Sequence, residues 1–142
     1  MKITLKFLFC IFIFILASCK KDENISSLAS TNWIFVSINK NDIEEKVPSE
    51  FREMTLDFTE TNILFARGVC NSLNGKYLLS GNDSLVVNDL ITTCVYCGDG
   101  NPHIWEELYY NGLSNATNYF LNDNTLTLKT SINIELNFKI KN

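Results

Sequence analysis

Asn101-Pro102-His103-Ile104-Trp105-Glu106-Glu107-Leu108-Tyr109-Tyr110 is where the hydrophobic period of the chain changes. Ile104, Trp105, Leu108 and Tyr109 stand at i, i+1, i+4 and i+5, which places them on one face of an α-helix. Asn101 has the chemistry of an N-cap and Pro102 that of a first helical residue, and Glu106-Glu107 lie toward the end where the helix dipole favours negative charge. This helix should stop around Asn111-Gly112 or Asn115. On either side of it the period is two. Met54-Thr55-Leu56-Asp57-Phe58 alternates apolar and polar, and Asn62 to Ala66 follows a tight Glu60-Thr61-Asn62 turn, as in a hairpin. Lys76 to Leu79 and Leu85 to Val87 flank a second turn, Ser80-Gly81-Asn82-Asp83. Beyond the helix come Tyr119 to Leu121, Thr125 to Lys129, and Ile132 to Ile140, in which Ile134, Leu136, Phe138 and Ile140 share a face. Trp33 to Ile38 opens the series, and the charged residues 39–50, with Pro48, read as an exposed loop. Seven or eight short strands with one late helix predict an α+β fold that is mainly antiparallel β. The expected shape is a curled sheet or partial barrel with one helix packed against it. No βαβ alternation is visible, which argues against a parallel sheet.

The chain has 142 residues, 46% hydrophobic and 20% charged, enough for one packed domain and too short for two separate cores. Its front end is a separate object. Met1 to Lys6 is basic, and Phe7 to Leu16 is an apolar run half the length a membrane-spanning helix needs, which suits a signal peptide. Leu16-Ala17-Ser18-Cys19 resembles the bacterial lipobox, whose cysteine is diacylglycerylated and becomes the acylated N-terminus. The sequence thus divides into a signal over 1–18, lipidated Cys19 with a polar, flexible tether over 19–30, and a domain over 31–142. Without Lys2 and Lys6 the remainder has ten basic residues against 16 acidic, a net charge of −6 that disfavours nucleic-acid binding. The expected partner is a lipid bilayer, reached through acylated Cys19, and a monomer is expected. Cys19 lacks a following aspartate, so outer-membrane localisation is expected. Lys20-Lys21-Asp22-Glu23 resembles the lysine-plus-acidic surface-export signal of some lipoproteins, which extends that expectation to surface exposure.

Three cysteines remain after Cys10 and Cys19: Cys70, Cys94 and Cys97. An oxidising envelope makes one disulfide with one spare thiol the default, and on sequence alone Cys70 can pair with either Cys94 or Cys97. Cys94-x-x-Cys97 as a redox pair lacks the βαβ setting that lowers a thiol pKa. Cys70, Cys94, Cys97 and His103 have the residue types of a Cys₃His zinc site, but oxidised thiols are favoured over ligating ones in that compartment. His103 is the one histidine, and no nucleophile–base arrangement can be read around it. Glu44-Glu45, Glu106-Glu107 and Asp22-Glu23 are sequence neighbours whose side chains diverge, and they read as solvated faces. Gly98-x-Gly100 is too short to cradle a phosphate. Trp33, Tyr77, Trp105, Tyr109 and Tyr110 read as core, although a curled sheet can also leave an apolar mouth for a ligand on its concave face. Asp83-Ser84-Leu85 matches a short O-glycosylation pattern and equally an ordinary turn. No catalytic site and no cofactor are expected.

Val69-Cys70-Asn71, Gly75-Lys76-Tyr77, Thr92-Thr93-Cys94, the Trp105-Glu106 helix and Leu126-Thr127-Leu128 occur in an order that resembles the META domain family, which includes HslJ-like bacterial lipoproteins. The resemblance covers roughly Ser27 to Asn142. It implies a small envelope domain linked to heat-shock, stress or antibiotic tolerance, without an established catalytic activity. It also favours Cys70 with Cys94 as the disulfide, a bridge that would contribute ~3 kcal/mol. Cys97 and the Gly98-Asp99-Gly100 stretch depart from the family pattern.

Overall fold

The computed structural model describes residues 28–96, 98 and 100–141. The elements are β1 (Thr31–Lys40), β2 (Ile43–Lys46), β3 (Thr55–Phe58), β4 (Ile63–Arg67), β5 (Ser72–Ser80), β6 (Ser84–Thr92), α1 (Asn101–Ser114), β7 (Ala116–Asn122), β8 (Thr125–Thr130) and β9 (Ile134–Ile140). All strands join one antiparallel sheet in the order β2-β1-β3-β4-β5-β6-β7-β8-β9, and β1 also pairs with β9, so the sheet closes into a barrel. One edge of β1 carries β9 from Trp33 to Lys40. Its other edge is shared between β3 at residues 31–34 and β2 at residues 37–40. The expected antiparallel sheet with one packed helix is the observed architecture, and closure makes it more complete than a curl.

Alternation decides which side chains fill the barrel. In β5 Leu73 and Tyr77 point inward, and in β9 Ile134, Leu136 and Phe138 do the same. β1 needs a correction to that rule. Its register with β9 shifts between Phe35 and Ser37, a bulge that moves the inward face from Trp33 and Phe35 to Ile38. A second bulge lies on β6 opposite Gly75, where Asp89 takes a positive φ of 51°. The seam between β6 and β7 is the narrowest pairing, with Ser84 opposite Asn118 and the Tyr119 N–H donating to the Asp83 carbonyl at 2.8 Å.

Helix α1 packs on the core through Trp105, Tyr109 and Leu113. The Tyr109 ring stacks on Phe35 at 4.7 Å, and Trp105 meets Phe35 edge-on at 6.3 Å. Gly112 lets the helix approach β9: a Cβ there would lie 2.8 Å from both methyls of Leu136. Gly100, at φ 106°, is the N-cap rather than Asn101, which is already helical, and Pro102 sits at the start as its fixed φ favours. The helix ends at Ser114 with Asn115 as C-cap, within the range read from sequence. Residues 39–50 are not a plain loop. Ile43–Lys46 pairs with β1 as β2, and all four of its residues are exposed on a free sheet edge.

Candidate functional site

The loop between β4 and β5, Gly68 to Asn71, is built around a carboxylate from α1. Trp105 and Tyr109 set the inward face of the helix, and Glu106 beside them points at the loop and is buried. Its Oε1 accepts the backbone N–H groups of Cys70 at 2.9 Å and Asn71 at 2.8 Å. Its Oε2 accepts the Asn71 side-chain amide at 2.7 Å. One turn later Tyr110 donates its hydroxyl to the Asn71 carbonyl at 2.7 Å and accepts the Gly68 N–H at 3.1 Å. Arg52 donates to the Gly68 carbonyl at 3.1 Å. Gly68 has no room for a side chain, because a Cβ would fall within 2.7 Å of the Tyr110 oxygen and closer still to Glu106. Asn71 then ties in a third segment. Its Oδ1 accepts the Val95 N–H at 2.7 Å and the Thr93 hydroxyl at 2.9 Å, and its Nδ2 donates to the Val95 carbonyl at 3.0 Å. Helix, loop and the chain leaving β6 therefore meet on two side chains.

The charge states follow from this geometry. Burial pushes the Glu106 carboxyl up, but the Asn71 amide, the two backbone N–H groups and the Arg52 charge outweigh it and hold the group below its ordinary value of 4.5. Burial and the Glu106 charge push the Tyr110 hydroxyl far above its ordinary value, so it stays protonated and keeps its donor role. A carboxylate whose two oxygens are engaged by three protein donors acts as a latch.

Glu106 is thus a correction: it is buried and bonded, not part of a solvated pair, because adjacent helical residues point about 100° apart and only Glu106 falls on the loop side. Glu107 remains exposed, 3.9 Å from His103 Nδ1. The cysteines also need correcting. Cys94 is a free, exposed thiol, so it does not pair with Cys70. The Asn71 amide fixes the backbone of the next residue, Val95, and the extended segment turns Cys94 to solvent. Cys97, the other candidate mate of Cys70 and a member of the weaker Cys₃His alternative, lies outside the described residues. Cys19, the lipidation candidate, also lies outside them. Trp33, Tyr77, Trp105 and Tyr109 are core, and Tyr110 belongs to the latch. The sheet's inner face is filled by core side chains. A groove of about 330 Å³ opens instead beside the latch, walled by Thr93, Cys94, Val95, Tyr96 and His103. Asn71 was legible as a motif residue, whereas the partnership of Gly68, Arg52, Glu106 and Tyr110 was not. The one signal for it is the i, i+4 spacing of Glu106 and Tyr110 on one helix face.

The model of the META domain family matches residues 26–141. The chain belongs to the META domain family. Solved structures share the fold of this META domain. An NMR structure of a protein from Burkholderia xenovorans superposes with a TM-score of 0.69 at 22% identity, covering 84% of this chain and 88% of the other. A crystal structure of a DUF4847 family protein from Bacteroides vulgatus superposes with a TM-score of 0.59 at 15% identity, covering 80% and 94%. No curated protein sequence matches the chain. The Cys-Asn and Trp-Glu elements that carry the family resemblance are the two sides of the latch. Among the described residues no helix is long and apolar enough to cross a membrane.

Proposed function

We propose that this META domain is a non-enzymatic module of a cell-envelope lipoprotein, held at the outer membrane by acylated Cys19 and acting in stress or antibiotic tolerance through binding or envelope support. The observation that carries the non-enzymatic part is the latch. The buried Glu106 carboxylate has both oxygens engaged by the loop it holds, which supports a structural role over general acid or base work. The lipobox-like Leu16-Ala17-Ser18-Cys19 supports the anchor.

The test is direct. The full chain is expressed in its bacterial host, and the intact mass of the protein from the membrane fraction is measured beside that of Cys19→Ala. Cleavage before Cys19 with added acyl mass, and loss of Cys19→Ala from membranes, are the expected results. An unacylated protein, or equal membrane retention of both forms, overturns the anchor. Survival of a deletion strain under heat and antibiotic stress, restored by wild type, tests the tolerance role. A second reading, a ligand-binding module, draws its support from the groove beside the latch, where Val95 and Tyr96 are exposed.

A further inference from the structure

The outer surface of β4, β5 and β6 is not the polar exterior that alternation normally gives a barrel in water. Ile63 and Phe65 on β4, Leu78 on β5, and Val86 and Ile91 on β6 all point outward, with exposures from 38% at Ile63 to 69% at Ile91. The registers make them neighbours: Phe65 and Ile91 both oppose Asn74, and Leu78 opposes Val86. Between them lies a shallow groove of about 680 Å³ floored by Gly75, where a Cβ would strike Leu90. The one ion pair crossing it, Lys76 with Asp89 at 2.8 Å, is internally neutralised. These five side chains flank Asn74 and the Lys76–Asp89 pair, and exposed apolar residues gathered on one face in this way mark a surface that is covered in use.

The chain's own layout names the cover. Ser30 donates through its N–H to the Phe58 carbonyl at 2.7 Å and through its hydroxyl to Glu60 at 3.1 Å, so the described chain enters at the β3–β4 turn. Ile63 follows that turn. The Tyr77 N–H donates to the Asn62 carbonyl at 3.0 Å, which brings Leu78, and with it Val86, to the same end of the barrel. Nine Cα–Cα steps separate Cys19 from Leu28 and reach at most about 32 Å when fully extended. An acyl anchor on Cys19 therefore holds this end of the barrel within about 32 Å of the bilayer. We infer that the Ile63, Phe65, Leu78, Val86 and Ile91 face lies on the lipid surface, seating the domain in one orientation with the latch groove, whose Thr92 follows Ile91, at the edge of that face. The inference rests on the acylated-Cys19 reading.

The test uses the full-length acylated protein carrying Ile91→Trp, reconstituted into phosphatidylethanolamine–phosphatidylglycerol vesicles containing brominated phosphatidylcholine. The new indole is expected to blue-shift and to be quenched by the brominated chains, whereas the native Trp33 and Trp105, both buried, are not. Adding Phe65→Asp should abolish shift and quenching, with the circular dichroism spectrum and melting temperature unchanged because Phe65 is half exposed. Acylated protein whose new indole stays unquenched overturns the docking and leaves the anchor standing. A mass without acyl chains overturns both. Absence of quenching together with a dimer that Phe65→Asp dissociates would assign the face to a second copy, and the lipid proposal would fall.

Discussion

Three donors converge on the Glu106 carboxylate, and two of them are backbone groups that cannot turn away. Glu106→Gln can place its oxygen against the Cys70 and Asn71 N–H groups, but its amide nitrogen then faces the Asn71 amide. Asn71 cannot flip in response, because its oxygen already accepts from Val95 and Thr93. The expected cost is about 1–3 kcal/mol in urea denaturation, and Glu106→Ala, which strands all three donors, should cost more. Glu107→Gln, on the exposed side, should lie within about 0.5 kcal/mol of wild type. Cys94 offers a second residue-level outcome. In native protein a maleimide should label the peptide bearing Cys94, as peptide mapping would show. An unlabelled Cys94 would contradict the assigned thiol state.

Elements meet through small residues at two places. Gly68 lets the β4–β5 loop close over Glu106, and Gly112 lets α1 settle on Leu136. Gly112→Ala raises intrinsic helix propensity by roughly 1 kcal/mol yet drives a methyl into Leu136, and overpacking of this kind costs about 1–3 kcal/mol. The net effect should be a lower melting temperature, restored by the second change Leu136→Val, which shortens the side chain by one carbon and draws the two obstructing methyls back. A melting temperature that rises in the single variant would show that the helix has slack against β9. Strand and helix positions were legible from period and turn residues. β2 was not, because Ile43-Glu44-Glu45-Lys46 has little apolar content, and its pairing depends on the neighbouring β1 edge rather than on its own composition.

For the whole molecule, acid stability should follow the latch. The folded Glu106 carboxyl lies below its ordinary 4.5, so the ionised form is favoured by folding. Its contribution is fully present above the unfolded value and is lost as pH falls through the folded one. Asp57 acts in the opposite sense: burial, only partly offset by Lys141 and Arg67, raises its pKa, so acidification relieves rather than costs. Melting temperature should therefore drop as pH falls below about 4.5 in wild type and drop less in Glu106→Gln. Parallel curves for the two proteins would show that the latch does not titrate with folding. Alternation, turn residues and one change of period were enough to determine a mainly antiparallel chain with a single late helix, since those signals are local. The lipobox-like stretch likewise predicts an anchor from adjacent residues. Tertiary structure alone decided the rest: β1 meeting β9 to close the barrel, Glu106 rather than Glu107 going inside, and Cys94 left free and exposed. Each of those depends on groups tens of residues apart arriving at one place, and a pattern read along the chain carries no information about that distance in space.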